Sequence, residues 1–101
     1  MDRLNMAMSV SLKFIGTLRH ASGKSKLVMV ICGALSVKEL ISKLVIELPA
    51  LKQSLDLQRL EELQSNLLIL VNGREISVLN GFETIVKDGD EIVFVPVVHG
   101  G

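Results

Sequence analysis

The residues with the clearest chemical potential lie at the end of the chain, which closes on Gly100 and Gly101. Neither glycine has a Cβ, so the backbone here can adopt conformations closed to other residues and can lie close against another surface. The α-carboxylate of Gly101 is therefore an unhindered group at the tip of a thin peptide. We interpret it as a group that a partner protein could activate inside a narrow channel. Composition alone leaves the alternative, a tail without function, equally open.

The other reactive side chains form no catalytic or metal-binding set in the sequence. Cys32 ends an apolar stretch with no histidine or second cysteine close to it, so we predict a buried structural cysteine rather than a nucleophile. His20 and His99 are far apart, and no third residue completes the spacing of a zinc site. His99, beside the glycines, either donates a hydrogen bond inside a partner or stays solvated. We therefore expect no metal and no stably bound cofactor.

Composition excludes several classes of partner. Eleven basic and eleven acidic residues cancel, which removes the charge that attracts nucleic acids and anionic membranes. Three phenylalanines are the aromatic residues, too few for a base-stacking surface. No apolar run reaches the roughly 18–20 residues of a membrane span, and the first residues lack the apolar core of a signal peptide. With a single cysteine, these features predict a cytoplasmic protein with neither a nucleic acid nor a membrane as its partner.

The first half of the chain predicts a hairpin. Apolar residues alternate with polar ones over residues 8–14, the period of a half-buried strand; the apolar positions are Met8, Val10, Leu12 and Phe14. The segment Gly16–Gly23 is interpreted as a loop. Lys26–Cys32 is rich in apolar and β-branched residues and predicts the second strand.

A helix follows, and its start is marked by a capping box. Ser36 can accept a hydrogen bond from the backbone N–H of Glu39, whose carboxylate can reach back to the N–H of Ser36. Apolar residues then recur at helical spacing and predict one buried stripe; they are Val37, Leu40, Ile41, Leu44, Val45 and Leu48. Pro49 ends this helix.

The second half predicts a shorter helical segment within Leu51–Leu63, a buried strand over Leu67–Val71, and a returning strand over Arg74–Ile76. Asn72 and Gly73 between the two strands are a strong hairpin signal. Leu79–Val86 has no clear period and is interpreted as irregular.

The last strand is predicted over Glu91–Val95, after a tight turn at Lys87–Asp90. We interpret Asp88, Asp90 and Glu91 as parts of this turn and of a solvent-facing strand start, rather than as acid–base or cation-binding groups. Pro96 cannot donate a ladder hydrogen bond, so we expect the chain to leave the sheet there. Six extended residues from Pro96 onward reach at most ~20 Å.

The order β-β-α-(α)-β-β-β predicts an α+β fold of the β-grasp, or ubiquitin-like, type. It is a mixed sheet of about five strands with the main helix packed across one face, and a right-handed crossover that returns to a strand beside the first. We expect a flexible N-terminus over residues 1–7, the β-grasp domain over residues 8–95, and an extended tail over residues 96–101.

The segment Lys87–Pro96, followed by a short tail to the two glycines, resembles the C-terminal signature of the MoaD/ThiS family. This family comprises the small subunit of molybdopterin synthase and the sulfur carrier of thiamine synthesis. The helix that begins at Ser36 and the turn at Val71-Asn72-Gly73 sit where the family has them, so the resemblance extends from about Ser9. The ending His99-Gly100-Gly101 also resembles the ubiquitin-related modifier branch.

The resemblance implies a sulfur carrier that is not itself an enzyme. A ubiquitin-activating-type adenylyltransferase would adenylate the Gly101 carboxylate with ATP and magnesium. A sulfur donor would then convert the acyl-adenylate to a thiocarboxylate. Molybdopterin biosynthesis is the first-choice pathway, with the large subunit of molybdopterin synthase as partner. Val97 stands where molybdopterin synthase small subunits often carry a second proline, which leaves the pathway open.

The resemblance also implies which residues meet these partners. Gly101 is the reacting residue and Gly100 lies beside it. The partner-binding residues it implies are Phe94, Pro96, Val97, Val98, His99 and Phe82. For Phe82 two interpretations stand, a core residue, which we favour, and part of an exposed apolar docking patch.

Two other functions remain open. In the first, the same activated carboxylate is conjugated to lysines of target proteins, as a ubiquitin-like modifier. In the second, the protein is a non-catalytic β-grasp binding module whose sheet face binds a partner and whose tail is idle.

Overall fold

The structure of the protein is a computed structural model that describes residues 7–97. Within these residues the strands are β1 (Ala7–Phe14), β2 (Lys26–Cys32), β3 (Leu35–Ser36), β4 (Leu67–Val71), β5 (Arg74–Glu75), β6 (Ile85–Val86) and β7 (Glu91–Pro96), and the α-helices are α1 (Thr17–Ser22), α2 (Val37–Glu47) and α3 (Leu60–Asn66). Among residues 7–97, none of the helices has the length and hydrophobicity that a membrane span requires.

Five of the strands form one mixed sheet in the order β2-β1-β7-β4-β5. Strand β1 is antiparallel to β2 and parallel to β7, while β4 is antiparallel to both β7 and β5. The parallel neighbour of β1 is thus the last strand, and β4, which follows the helices, lies one position further out. This is the predicted β-grasp sheet, but one expectation is wrong. The crossover after β2 returns to β4, which does not lie beside the first strand, because β7 occupies the position between them.

Helix α2 lies across one face of the sheet and begins with the predicted capping box. The backbone N–H of Glu39 donates to Ser36 Oγ at 3.1 Å, and the N–H of Ser36 donates to Glu39 Oε1 at 2.9 Å. These bonds satisfy two backbone groups that a helix start otherwise leaves unpaired. The buried side of α2 matches the predicted stripe at Val37, Leu40, Ile41 and Leu44.

The core lies between α2 and the inward side of the sheet. The alternation predicted for the first strand is confirmed, because Val10, Leu12 and Phe14 are all buried. From the last strand, Ile92 and Phe94 reach the same core, and the rings of Phe14 and Phe94 stack with centroids 5.8 Å apart. The parallel register places these two rings side by side.

The predicted loop between the first two strands contains a helix instead. Helix α1 is flanked by Gly16 and Gly23, both with positive φ (60° and 77°), a backbone conformation that favours glycine. Its buried residue is Leu18. One apolar contact over six residues is too short a pattern for helical periodicity to reveal.

The segment between α2 and β4 is helical only in part. Short 3-10 turns occupy Pro49–Leu51 and Leu57–Arg59, and α3 starts later than the predicted helical segment. Asp56 Oδ1 accepts the backbone N–H of Gln58 at 3.0 Å, which begins a new turn at this point. The leucines of this region still serve the core, because Leu51 and Leu55 are buried.

Two short strands were not apparent from the sequence. Strands β3 and β6 pair as a separate two-stranded sheet. Strand β6 lies in the segment Leu79–Val86 that was interpreted as irregular, and β3 immediately precedes α2. Two residues per strand are too few for a period of two to show. The predicted strand over Arg74–Ile76 is also shorter, because the buried Ile76 begins a 3-10 turn.

Candidate functional site at the C-terminal strand

The candidate site is built on β7, which lies between β1 and β4 and is hydrogen-bonded along both edges. Its inward residues are Ile92 and Phe94, each fully buried. The outward residues of the strand face away from α2. A strand held on both sides gives the tail that follows it a fixed point of departure.

The start of β7 is fastened to β1 by the turn Lys87–Asp90. Asp88 Oδ1 accepts the backbone N–H of Ser9 at 2.8 Å, and the N–H of Gly89 donates to the Ser9 carbonyl at 2.9 Å. The N–H of Ser11 donates to the Asp90 carbonyl at 3.0 Å. Gly89 has φ +86°, which the turn requires and which side chains other than glycine rarely adopt.

The same turn is fastened to the β4–β5 hairpin through Asp90. One carboxylate oxygen accepts the amide of Asn72 at 2.9 Å, and the other accepts the backbone N–H of Lys87 at 2.8 Å. Asn72 completes the junction, since its Oδ1 accepts the N–H of Glu91 at 2.9 Å and its own N–H donates to the Glu91 carbonyl at 2.8 Å. The Asp-Gly-Asp motif therefore sets the register of the last strand.

Asp90 lies in the predicted turn, where its N–H donates to the Lys87 carbonyl at 3.1 Å, but its burial was not expected. It is 7% exposed. The cause is its bonding to Asn72 and Lys87, which requires the carboxylate to turn inward. Asp88 remains exposed, and Glu91 is half-buried and pairs with Lys13 at 2.9 Å. Both charges of this last pair are substantially solvated, so the pair adds little stability.

The far end of β7 extends one residue further than predicted. Pro96 is the last residue of the strand and pairs with Leu67, and the N–H of Val97 still donates to the Asn66 carbonyl at 2.9 Å. The ring of Pro96 packs over Gly16, where an added Cβ would lie 3.8 Å from its Cγ. The sheet therefore holds the chain through Val97.

The predicted reacting residues Gly100 and Gly101, and the predicted partner-binding residues Val98 and His99, lie outside the described residues. Beyond Val97 four residues remain. At full extension they span at most ~14 Å. This is shorter than the ~20 Å expected for a tail that begins at Pro96.

Two of the predicted partner-binding residues are core residues. Phe94 is fully buried, because it points toward α2 and stacks on Phe14. Phe82 is 8% exposed in the 3-10 turn Gly81–Glu83 and belongs to the same core, the interpretation that was favoured for it. Neither ring can contact a partner without leaving the core. Pro96 and Val97 are half-buried and keep an accessible side.

Cys32 is exposed, so the prediction of a buried cysteine is wrong. Alternation along β2 buries Met29 and Ile31 and turns Cys32 to the other side of the sheet. The exposed His20 lies on α1. Among residues 7–97 no group of histidine, cysteine and carboxylate side chains is arranged to hold a metal ion.

An apolar patch on the sheet face opposite α2 was not predicted from the sequence. Leu68, 40% exposed, lies directly across from Val95, and Leu70 lies across from Val93, all four side chains pointing away from the core. We call these four residues the β4–β7 patch. Strand β4 is apolar at every position, which indicates a strand covered on both faces, and that signal could have revealed the patch.

A polar cleft opens beside the point where the chain leaves the sheet, apart from the β4–β7 patch. Its volume is about 490 Å³. Arg59 lines it, with Nη1 3.4 Å from Glu62 Oε1 and Nε 3.9 Å from Asp56 Oδ2. Its wall includes Leu67 and Pro96, so it adjoins the point where the chain leaves the sheet. The departure point of the tail is thus flanked by an apolar face and a polar cleft.

Comparisons with known proteins agree with this architecture. A model of the ThiS family matches residues 12–101. A protein of Archaeoglobus fulgidus that is named as a sulfur carrier is 47% identical over 45 residues, which cover 45% of this chain and 51% of that protein, so the match spans about half of its length.

Solved structures extend the likeness over nearly the whole chain. The small archaeal modifier protein 1 of Methanosarcina acetivorans is 33% identical, with a TM-score of 0.77 over 94% of this chain and 98% of that one. A chain of the BexX/CysO complex of Amycolatopsis orientalis is 27% identical, with a TM-score of 0.69 over 91% of this chain and 99% of that one. The resemblance predicted from Lys87–Pro96 and the glycine terminus is confirmed: the chain belongs to the ThiS family.

Proposed function

We propose that this protein is a ubiquitin-like sulfur carrier that acts through the carboxylate of Gly101. The observation that carries the proposal is the family match, which continues through residue 101, past the point where the sheet ends at Val97. The matched segment therefore includes the two terminal glycines as well as the sheet. The Archaeoglobus fulgidus relative named as a sulfur carrier supports the same function.

The proposed chemistry has two steps, and both take place in partner enzymes. The Gly101 carboxylate oxygen attacks the α-phosphorus of ATP, which releases pyrophosphate and leaves an acyl-adenylate. Hydrosulfide, or an equivalent sulfur nucleophile, then attacks the acyl carbon, so that a C–S bond forms, the C–O bond to AMP breaks, and a thiocarboxylate remains. Magnesium and ATP belong to the activating enzyme. This chain supplies the nucleophilic carboxylate and holds it in position.

The described residues have a presenting role in this scheme. The β4–β7 patch is an apolar surface beside the tail, and we propose that it docks the activating enzyme, since exposed apolar patches mark interaction sites. Pro96 and Val97 would contact the mouth of the channel, with Val98 and His99 inside it. The BexX/CysO complex supports a protein partner for a chain of this fold.

The first test is ATP–pyrophosphate exchange by the activating enzyme. Exchange should rise when this protein is added, because reversible adenylation of Gly101 returns ATP. Deletion of Gly101 should abolish the rise, since the carboxylate then stands one residue short of the reacting centre. Gly100→Ala should reduce it, because a Cβ obstructs a narrow channel. Equal exchange with the wild type and the Gly101 deletion would contradict the proposal.

The acceptor of the sulfur defines the pathway. Molybdopterin biosynthesis remains our first choice, on the resemblance of Lys87–Pro96 to the small subunit of molybdopterin synthase. Its test is reconstitution of the thiocarboxylated protein with a molybdopterin synthase large subunit and the cyclic pterin precursor. Formation of the dithiolene product supports this pathway, and intact thiocarboxylate with no product points to another acceptor.

A second candidate function is conjugation to lysines of target proteins. It is favoured by the 33% identity to the small archaeal modifier protein 1. In this case cells that express a tagged form should contain covalent conjugates that survive denaturation and that are lost on deletion of Gly101. Absence of conjugates, together with a terminal thiocarboxylate, would leave sulfur transfer as the function.

A further inference from the structure

The two edges of the five-stranded sheet differ in a way that indicates a self-association site. Strand β5 at one edge has two residues, Arg74 and Glu75, both charged. Strand β2 at the other edge has seven residues, Lys26–Cys32, and pairs with β1 over its whole length without a bulge. Short charged edges are typical of sheets protected from edge-to-edge pairing. The β2 edge lacks these protections.

The side chains of β2 add an apolar surface to this open edge. Val28 is 54% exposed and Val30 is 69% exposed on the sheet face opposite α2. The strand contains no proline, and its charged residue is Lys26 at the start. An exposed strand of this kind is a template for pairing with another strand.

The backbone of β2 fixes which residues can bond to a further strand. Phe14 donates its N–H to the Ser25 carbonyl at 3.0 Å, which continues the β1–β2 ladder by one pair. In an antiparallel pair, alternate residues bond to the partner. Odd-numbered residues of β2 therefore bond to β1, and the outward N–H and C=O groups belong to the even-numbered ones; these are Lys26, Val28, Val30 and Cys32.

We propose that β2 pairs with β2 of a second copy of this chain, antiparallel and about a two-fold axis at Met29. Only one antiparallel register pairs all seven residues of the two strands and also sets even-numbered residues opposite even-numbered ones. That register sets Val28 opposite Val30, Lys26 opposite Cys32, and Met29 opposite itself. The two copies bring their four exposed valines together on one face, and no like charges stand opposite each other.

The size of this contact sets its strength. Seven residues at ~3.3 Å each make a pairing ~23 Å long. Such an interface is at the small end of specific protein contacts, so the dimer should form reversibly and at high concentration. Because β1 separates β2 from β7, dimerisation leaves the tail and the β4–β7 patch accessible. The inference therefore does not depend on the proposed function.

A cysteine cross-link tests the register. In the proposed dimer the native Cys32 faces position 26 of the other copy, and Cα atoms opposite each other across antiparallel strands are ~5.5 Å apart, within disulfide range. Mild oxidation of the Lys26→Cys variant should give a dimer joined between position 26 and Cys32, located by peptide mass spectrometry. Lys52→Cys, also exposed and remote from β2, is the matched control and should remain largely monomeric. Equal cross-linking of the two variants would overturn the proposal.

A charge substitution tests the association itself. Sedimentation of the wild type should show the average mass rising toward two chains as the concentration approaches about 1 mM. Val30→Lys should weaken association about tenfold or more, because two added charges enter the valine cluster. Val78→Lys, at a valine of similar exposure (66%) outside the sheet, should have no effect.

Three results would overturn this proposal. One is a wild-type protein that stays monomeric over the whole concentration range. In that case the β2 edge would be available for pairing with a strand of a different protein. The second is a dimer unaffected by Val30→Lys. The third is a dimer that Val78→Lys disrupts to the same degree, because the contact would then lie elsewhere.

Discussion

At the scale of single residues, Asp90 stands out for its hydrogen bonds to several parts of the chain. Its two carboxylate oxygens accept hydrogen bonds from Asn72 and Lys87, and its carbonyl accepts one from Ser11. It therefore joins the turn before β7 to both neighbouring strands. A carboxylate buried in this way is favourable only while its donors stay in place. Asp90 is thus a structural residue, although its acidic neighbours suggest chemistry in the sequence.

Asp90→Ala should lower the free energy of unfolding by about 1–2 kcal/mol, because it leaves two donors at a partly buried junction without an acceptor. Asp90→Asn should recover only part of this loss. The side-chain oxygen of the asparagine can replace one acceptor, but its NH2 group cannot accept the other hydrogen bond. Glu83→Ala, at an exposed acidic residue in the preceding turn, is the control and should change stability by less than about 0.5 kcal/mol. Urea denaturation measures all three. A wild-type value for Asp90→Ala would show that the junction is not stabilising.

At the scale of elements, the fold separates a supporting face from a presenting face. Helix α2 covers one side of the sheet, and its capping box and buried stripe secure it there. The other side carries the β4–β7 patch, whose side chains have no element packed over them among the described residues. Both sides meet in β7, which contributes Phe94 to the core and Val93 and Val95 to the patch.

Ser36→Ala removes the hydroxyl that caps α2 and should cost about 1 kcal/mol of stability. Ser42→Ala makes the same change at an exposed position within the same helix, where alanine is the better helix former. We expect the two variants to move the urea midpoint in opposite directions. Equal midpoints would mean that the capping box contributes little here.

Leu68→Glu places a charge in the β4–β7 patch and should raise the KM of the activating enzyme for this protein about tenfold, as loss of a buried apolar contact would. Ile46→Glu, at a 79% exposed position on α2, is the matched control and should leave KM unchanged. Circular dichroism should show both variants folded. If Leu68→Glu is folded and has a wild-type KM, the patch does not dock the enzyme.

Sequence reasoning succeeded where a pattern was long or chemically specific. The alternation in β1, the stripe of α2 with its Ser36 box, and the Asn72-Gly73 turn each specify one local structure, and together they predict the β-grasp sheet. Helix α1 and strands β3 and β6 are too short to have a period. The burial of Asp90 and the exposure of Cys32 depend on contacts and strand order that local sequence does not contain.

At the scale of the whole molecule, the folded body and the last residues have different tasks in the proposed function. The body, described here through Val97, is a β-grasp domain that fixes β7 on both edges and exposes an apolar face beside it. The proposed reaction takes place at Gly101, four residues further along. The family match over residues 12–101 includes both parts. The central claim is therefore that Gly101 is chemically changed while the body remains as it is.

The most direct test of this claim is the intact mass of the protein after incubation with its activating enzyme, ATP, magnesium and sulfide. We predict a mass gain equal to the exchange of one oxygen for sulfur, located at Gly101 by fragmentation, and no gain when Gly101 is deleted or ATP is omitted. An unchanged mass, with an enzyme that demonstrably forms the adenylate on another carrier, would contradict the account. A gain that persists without Gly101 would contradict it as well.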